Sequence, residues 1–238
     1  MAWQRLISIG LVFGLALLGF ALLSPAVFQS REDARKIKSQ DNLRQIGLAI
    51  QNYHQTERSL PPGGIIREDE TAMQGWLAMI LPFVNDTIVY SWLDLNESWK
   101  SPQNTFIVDS VVLNYLIPGV DDRFTDSGYG LGHYLGNPNL LYRNSGVTFG
   151  QMTNGTSHTW LAGEATGNFQ PWSYPFNWRP LGIKFCAEPD SYGRPDWKGG
   201  HLLFADGSVS FFSDQTAPEI MERFADAPPV APPEQTAV

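Results

Sequence analysis

The chain has 238 residues, of which 43% are hydrophobic and 13% aromatic, so it holds enough apolar material for one sizeable folded core. Its formal net charge of −8 is unevenly distributed. Residues 1–58 carry seven Lys and Arg against four Asp and Glu, whereas residues 59–238 carry nine against 20. Because an acidic body repels phosphate backbones, this composition argues against a nucleic-acid-binding protein.

An uncharged, apolar segment occupies residues 6–23, close to the start of the chain. A helix needs roughly 20 apolar residues to cross a bilayer, so this segment predicts a transmembrane anchor within residues 1–30. A cleaved signal peptide, cut near residues 24–26, is the alternative, although secretory apolar regions usually have only about 7–15 residues. Four basic residues follow the segment, and by themselves they favour a body on the cytoplasmic side.

A second helical pattern covers residues 31–56. Apolar or small residues recur there at steps of three and four and form one stripe, made by Leu43, Ile46, Gly47, Ile50 and Tyr53. Pro25 would kink the chain without stopping a long helix, so residues 4–56 predict one rod of about 80 Å. The Leu-Pro-Pro-Gly-Gly run at residues 60–64 ends it.

Shorter elements are expected in the rest of the chain. Residues 75–95 predict short helices interrupted at Pro82, since proline breaks the helical hydrogen-bond ladder. Residues 158–164 are rich in apolar residues and predict a strand. The Pro- and Ala-rich residues 225–238 predict a disordered tail.

The clearest local signal is at residues 201–212, where two β-prone runs flank Asp206 and Gly207. Asp-Gly accepts the positive φ values of a type I′ turn, so this segment predicts a hairpin. Asp206 is also a weak candidate ligand for Ca²⁺, although its place in the turn already accounts for it. The four histidines are scattered and their spacing predicts no metal site; they are His54, His133, His158 and His201.

No catalytic or phosphate-binding motif occurs in the chain, and no enzymatic activity or cofactor is predicted. Glu164 follows an apolar run and is either a buried functional acid or a structural residue in a salt bridge or at a rim. The single cysteine, Cys186, is interpreted as a small buried hydrophobe. The tryptophans fit either a carbohydrate platform or the core, and the core is favoured; they are Trp76, Trp92, Trp99, Trp160, Trp172, Trp178 and Trp197.

Several separate blocks, in order, resemble one known family. They are the segment leaving the apolar run at residues 24–35, the Asp-Asn-Leu-Arg-Gln-Ile-Gly-Leu-Ala run at residues 41–49, residues 52–54, residues 60–63, Gly75-Trp76, residues 94–104, Asn154-Gly155 with Glu164, and Asp206-Gly207. Together they resemble the DUF1559 family of pilin-like proteins, of the type abundant in planctomycete bacteria. The resemblance spans residues 24–212.

This resemblance implies an α+β, pilin-like fold in which a long N-terminal helix, partly in the membrane, packs on an antiparallel β-sheet domain. It implies a single-pass protein of the bacterial inner membrane, with residues 31–224 outside the cytoplasm. Its partners would be the lipid bilayer and other pilin-like or envelope proteins, and its role structural. The motif residues then have structural roles; they are Asn154, Gly155, Glu164, Asp206 and Gly207.

The chain departs from the family pattern in three places. The glycine and early glutamate of a prepilin cleavage site are missing, which favours a plain anchor over a processed filament subunit. Asp196 stands where the family has a histidine, and the family's cysteine near residues 106–114 is absent. The alternative function is an extracytoplasmic binding module for a glycan or Ca²⁺, suggested by the tryptophan content and the acidic loops.

Overall fold

The computed structural model describes residues 2–84 and 87–225, and for residues 2, 4–26, 87 and 225 it describes the backbone alone. The fold is α+β, as predicted. The helices are α1 (Ala2–Glu57), α2 (Trp76–Met79), α3 (Thr87–Ser91), α4 (Pro102–Val108) and α5 (Pro218–Ala225). The strands are β1 (Gly64–Ile66), β2 (Ala72–Gly75), β3 (Leu131–Gly132), β4 (Tyr134–Gly136), β5 (Trp160–Glu164), β6 (Gln170–Pro171), β7 (Gly199–Phe204) and β8 (Val209–Ser213).

The chain divides into two compact units, Met1–Lys38 and Ser39–Val238. Within the described part of the first unit, α1 is helical throughout. Among the residues whose side chains the structure describes, no helix is both long enough and apolar enough to cross a membrane. The anchor predicted within residues 1–30 falls mainly on side chains outside the described part, so it stays a prediction.

The second unit begins with the last part of α1, whose predicted apolar stripe is confirmed. Leu43, Ile46 and Ile50 are fully buried in the main hydrophobic core. Gly47 is buried as well. A Cβ atom at this position would lie only 2.7 Å from Cδ1 of Leu203 on β7. This glycine therefore lets the helix and the sheet approach closely.

The main sheet has four antiparallel strands in the order β4-β5-β7-β8. Both faces of β4, β5 and β7 are covered, whereas the edge strand β8 is partly exposed. On β7, Leu203 packs into the main core with α1, whereas Leu202 and Phe204 pack into a second cluster that includes Met221 of α5. Since successive side chains of a strand point to opposite faces, every residue of β7 is buried.

The predicted hairpin is confirmed as β7 and β8, but the predicted type I′ turn is wrong. Such a turn requires positive φ at both central residues, and of the Asp-Gly pair only Gly207 has it, at φ +87. The Phe204 N–H donates to Ser208 O at 2.8 Å, and the Gly207 N–H donates to Phe204 O at 2.9 Å. The loop therefore has three residues and ends on a left-handed glycine.

The other predicted elements are also present. Short helices occupy the region of residues 75–95, and Pro82 lies in a separate 3₁₀ turn, Leu81–Phe83, between α2 and α3. The strand predicted at residues 158–164 is β5, which begins two residues later because a 3₁₀ turn, Thr156–His158, precedes it. The tail at residues 226–238 lies outside the described residues.

Candidate functional site: a buried polar cluster

A row of polar side chains crosses the helix-facing side of the main sheet. Tyr134 of β4 lies directly opposite Glu164 of β5 in the antiparallel register. The partner of Gly163 on β7 is Leu202, so His201 is the next residue of β7 beside Glu164. Residues opposite each other in neighbouring strands share a face, and Ser39 of α1 lies over this row.

Glu164 is the centre of this cluster, and its side chain is fully buried. Its Oε1 atom accepts a hydrogen bond from the Ser39 hydroxyl at 2.6 Å and lies 2.9 Å from His201 Nδ1. Its Oε2 atom accepts the His201 backbone N–H at 2.7 Å. Because a carboxylate oxygen offers only lone pairs, His201 Nδ1 carries a proton in this arrangement.

A directed chain of hydrogen bonds leads to the carboxylate. The Ser39 hydroxyl donates its hydrogen bond to Glu164. Tyr134 Oη is therefore the donor in its 2.8 Å contact with Ser39 Oγ. Asn42 Nδ2 donates to Leu116 O at 3.0 Å and to Tyr134 Oη at 3.4 Å. Burial raises the pKa of Tyr134 far above its usual value, and the nearby Glu164 raises it further, so the phenol keeps its proton.

The cluster is closed to solvent. Ser39 and Tyr134 are fully buried, and the His201 side chain is only 5% exposed. The rings of Trp197 and Phe211 lie edge-on to the His201 ring, at 6.3 and 5.1 Å between centroids. The Glu164 carboxylate is therefore shielded from solvent by protein side chains in the described structure. What the arrangement can do is connect α1, β4, β5 and β7 through one carboxylate.

The two loops that carry motif residues are hydrogen-bonded to each other. The Asp206 N–H donates to Thr156 O at 3.2 Å, and the Ala205 N–H donates to Thr159 O at 2.8 Å. The Thr159 hydroxyl in turn donates to Gly155 O at 2.9 Å, and Gly155 has a φ of +78 that favours glycine. The β7–β8 turn and the loop before β5 therefore brace one another.

The carboxylate of Asp206 is used within its own turn. Its Oδ1 atom accepts the Ser208 N–H at 2.9 Å, as an Asx turn requires. Gly207 lies against α1, since a Cβ there would be 2.8 Å from Gln51 Nε2. Among the described residues, no group of three or more His, Cys, Asp or Glu side chains is placed to hold a metal ion. The Ca²⁺ role of Asp206 stays a prediction.

The other candidates from the sequence are dispersed. Cys186 is half-buried, and burial raises the pKa of its thiol. Asp196 is exposed and forms an ion pair with Arg194 at 3.2 Å. Of the four histidines, only His201 joins the cluster. The aromatic side chains do not form an open platform, because five of the seven tryptophans considered are buried; these are Trp76, Trp99, Trp160, Trp172 and Trp197.

Sequence reasoning singled out Glu164 but missed its partners. Ser39 had a usable signal, because it stands four residues before Leu43 and so extends the apolar stripe of α1 by one step as a polar residue. Tyr134 and His201 had none, since their relation to Glu164 depends on the strand register. Glu164 contacts His201 at 2.9 Å, as the structural interpretation requires, and the rim position is wrong because its side chain is fully buried.

The model of a family described as a protein of unknown function (DUF1559) matches residues 29–114. The DUF1559 resemblance is confirmed over these residues, whereas the resembling blocks at residues 154–164 and 206–207 lie outside the match. The DUF1559 match takes in most of the buried part of α1, the β1–β2 pair and helices α2 to α4, and Ser39 lies within it. No curated protein and no solved structure matches the chain.

Proposed function

We propose that this protein is a membrane-anchored, pilin-like structural or interaction protein of the bacterial cell envelope, with no catalytic role. The observation that carries the proposal is the burial of Glu164. The one acidic residue that stands out in the sequence lies under α1, and its carboxylate already has three protein donors. An enzyme would need such a group within reach of a reacting atom.

Helix α1 supports the same proposal. Its stripe of buried residues ties residues 39–57 to the sheet, and its first part contains the long uncharged segment of residues 6–23. Such a helix combines an apolar end suited to lipid with an amphipathic end suited to a folded domain. The body would lie outside the cytoplasm, as the DUF1559 resemblance implies.

Membrane fractionation and the intact mass of the native protein test the proposal together. We expect the protein to stay with the membranes after a high-salt wash, and we expect the mass of the uncleaved chain. A wash that releases the protein, or a shortened and freely soluble mature form, would contradict the anchor.

A further inference from the structure

An open cleft lies on the side of the second unit that carries α5. It has a volume of about 470 Å³ and is lined by Asn154, His158, Ile220, Arg223 and Phe224. Small-molecule sites usually have volumes of roughly 300–1,000 Å³. The cleft therefore has room for a small organic molecule, and one of its walls is the loop that carries the motif residue Asn154.

One wall of the cleft is apolar and well supported. The Phe224 ring packs edge-on against Phe204 and Phe212, with centroids 5.5 and 5.7 Å away, so the sheet holds it in place. Ile220, one turn earlier on α5, is 46% exposed. A ligand with an apolar body would cover this exposed surface and gain the corresponding hydrophobic free energy.

The polar lining of the cleft has the opposite charge to the rest of the body. Arg223 and His158 line it with Asn154, and none of the described lining residues is acidic. Among the described residues, no carboxylate lies within 4.0 Å of the Arg223 guanidinium. His158 Nδ1 lies 3.0 Å from Ser157 Oγ, which leaves Nε2 as the ring atom to meet a ligand. Residues 59–238 carry 20 acidic and nine basic residues, so the positive charge of Arg223 makes this lining a more favourable place for an anion than the acidic surface around it.

We propose that this cleft binds a small organic carboxylate with an apolar body. The Arg223 guanidinium would pair with the carboxylate in a two-point hydrogen-bonded contact, since its planar fork matches that group. His158 and Asn154 add donors, and the apolar body lies on Phe224 and Ile220. This binding site is separate from the buried cluster around Glu164 and does not depend on the proposed structural function.

Titration of the full-length protein in detergent with three probes tests the site. Phenylacetate carries both features, phenylacetamide lacks the charge, and acetate lacks the apolar body. From the size of the probe, we expect phenylacetate to bind with a Kd on the order of 1 mM, and the other two at least about fivefold more weakly. Equal binding of phenylacetate and phenylacetamide, or no binding of phenylacetate up to about ten times that Kd, would overturn the proposal.

A pair of arginine variants locates the binding. Arg223→Gln should weaken phenylacetate binding at least about fivefold and leave the melting temperature unchanged, because Arg223 is exposed. Arg123→Gln, also an exposed arginine but outside the cleft lining, is the matched control and should bind like the unaltered protein. If both variants keep the original affinity, or both lose it equally, the cleft is not the binding site.

Discussion

The chemistry of Glu164 depends on its having two acceptor oxygens and no donor. The Ser39 hydroxyl, the His201 ring and the His201 backbone N–H all point at it. An amide side chain of the same shape would bring an NH₂ group against one of these donors. The structure therefore requires a carboxylate at this position.

Glu164→Gln tests this requirement directly. We expect a loss of about 3 kcal/mol in the free energy of unfolding, because one buried donor is left without an acceptor and the contact with His201 loses its charge. Urea unfolding followed by tryptophan fluorescence measures it. Glu97→Gln is the control, since Glu97 is exposed, and it should change stability by less than about 0.5 kcal/mol. Equal, small effects of the two changes would argue against the cluster.

His133 is a second buried polar residue, and it is held in its neutral form. Its Nδ1 atom accepts the Ile117 N–H at 3.0 Å, so Nε2 carries the proton and donates to Asp122 O at 2.7 Å. The ring stacks on Phe169, with centroids 4.0 Å apart. Burial lowers the pKa of His133 to about 4. A proton on Nδ1 would break the bond to Ile117.

Stability should therefore fall in mildly acidic solution. Above about pH 6.5, His133 is neutral in both the folded and unfolded states and has no effect on the pH dependence. Between about 6.5 and about 4 only the unfolded state binds the proton, so stability is lost as the pH falls, by about 3 kcal/mol in total. Urea unfolding at a series of pH values should show a flatter dependence in this window for His133→Gln. An unchanged slope in that variant would exclude His133 as the cause.

At the scale of elements, close backbone contacts explain several motif glycines. A Cβ on Gly63 would lie 1.8 Å from Leu141 O, one on Gly64 would lie 1.9 Å from Pro175 O, and one on Gly75 would lie 2.1 Å from Tyr174 O. Gly63 precedes β1, Gly64 begins it and Gly75 ends β2. The β1–β2 pair therefore lies in close contact with the two later loops that contain these carbonyl groups. The Pro-Pro-Gly-Gly run after α1 and the Gly-Trp run at the start of α2 thus both have a packing role.

Gly63→Ala should be strongly destabilising. The new methyl group meets a backbone carbonyl that can move only with its loop, so we expect a loss of about 3 kcal/mol in the free energy of unfolding. Gly182→Ala is the matched control, because nothing lies within 4 Å of the added Cβ, and its effect should stay below about 0.5 kcal/mol. Thermal or urea unfolding compares them. A Gly63 variant as stable as the control would show that the close approach is absent.

Elements with a local signal were predictable, and their details were less so. The stripe of α1 and the β7–β8 hairpin follow from periodicity and from turn residues, which act over a few positions. The type of the turn was not predictable, because Asp-Gly suits both a two-residue loop and a three-residue loop. The hydrogen bonds from Ala205 and Asp206 to the loop before β5 accompany the longer form.

At the scale of the whole molecule, the proposed anchor makes its own prediction. Leu17→Arg places a charge near the centre of the uncharged segment, at a cost of about 3 kcal/mol for insertion into a bilayer. We expect a larger share of the protein in the soluble fraction or in aggregates, measured by immunoblotting of fractions. Leu48→Arg, at an exposed position of α1, should leave the distribution unchanged. If the Leu17 variant fractionates normally, this segment is not the anchor.

The amino-acid order alone determined the long helix, its stripe of buried residues and the hairpin, because periodicity and turn chemistry are local properties. It also singled out Glu164, through an acid placed at the end of an apolar strand. Only the tertiary structure decided what Glu164 does. Ser39 is 125 positions away from it and His201 is 37 positions away, and no local pattern relates them. Their meeting depends on strand register and helix packing, which assemble one carboxylate and its donors from separate parts of the chain.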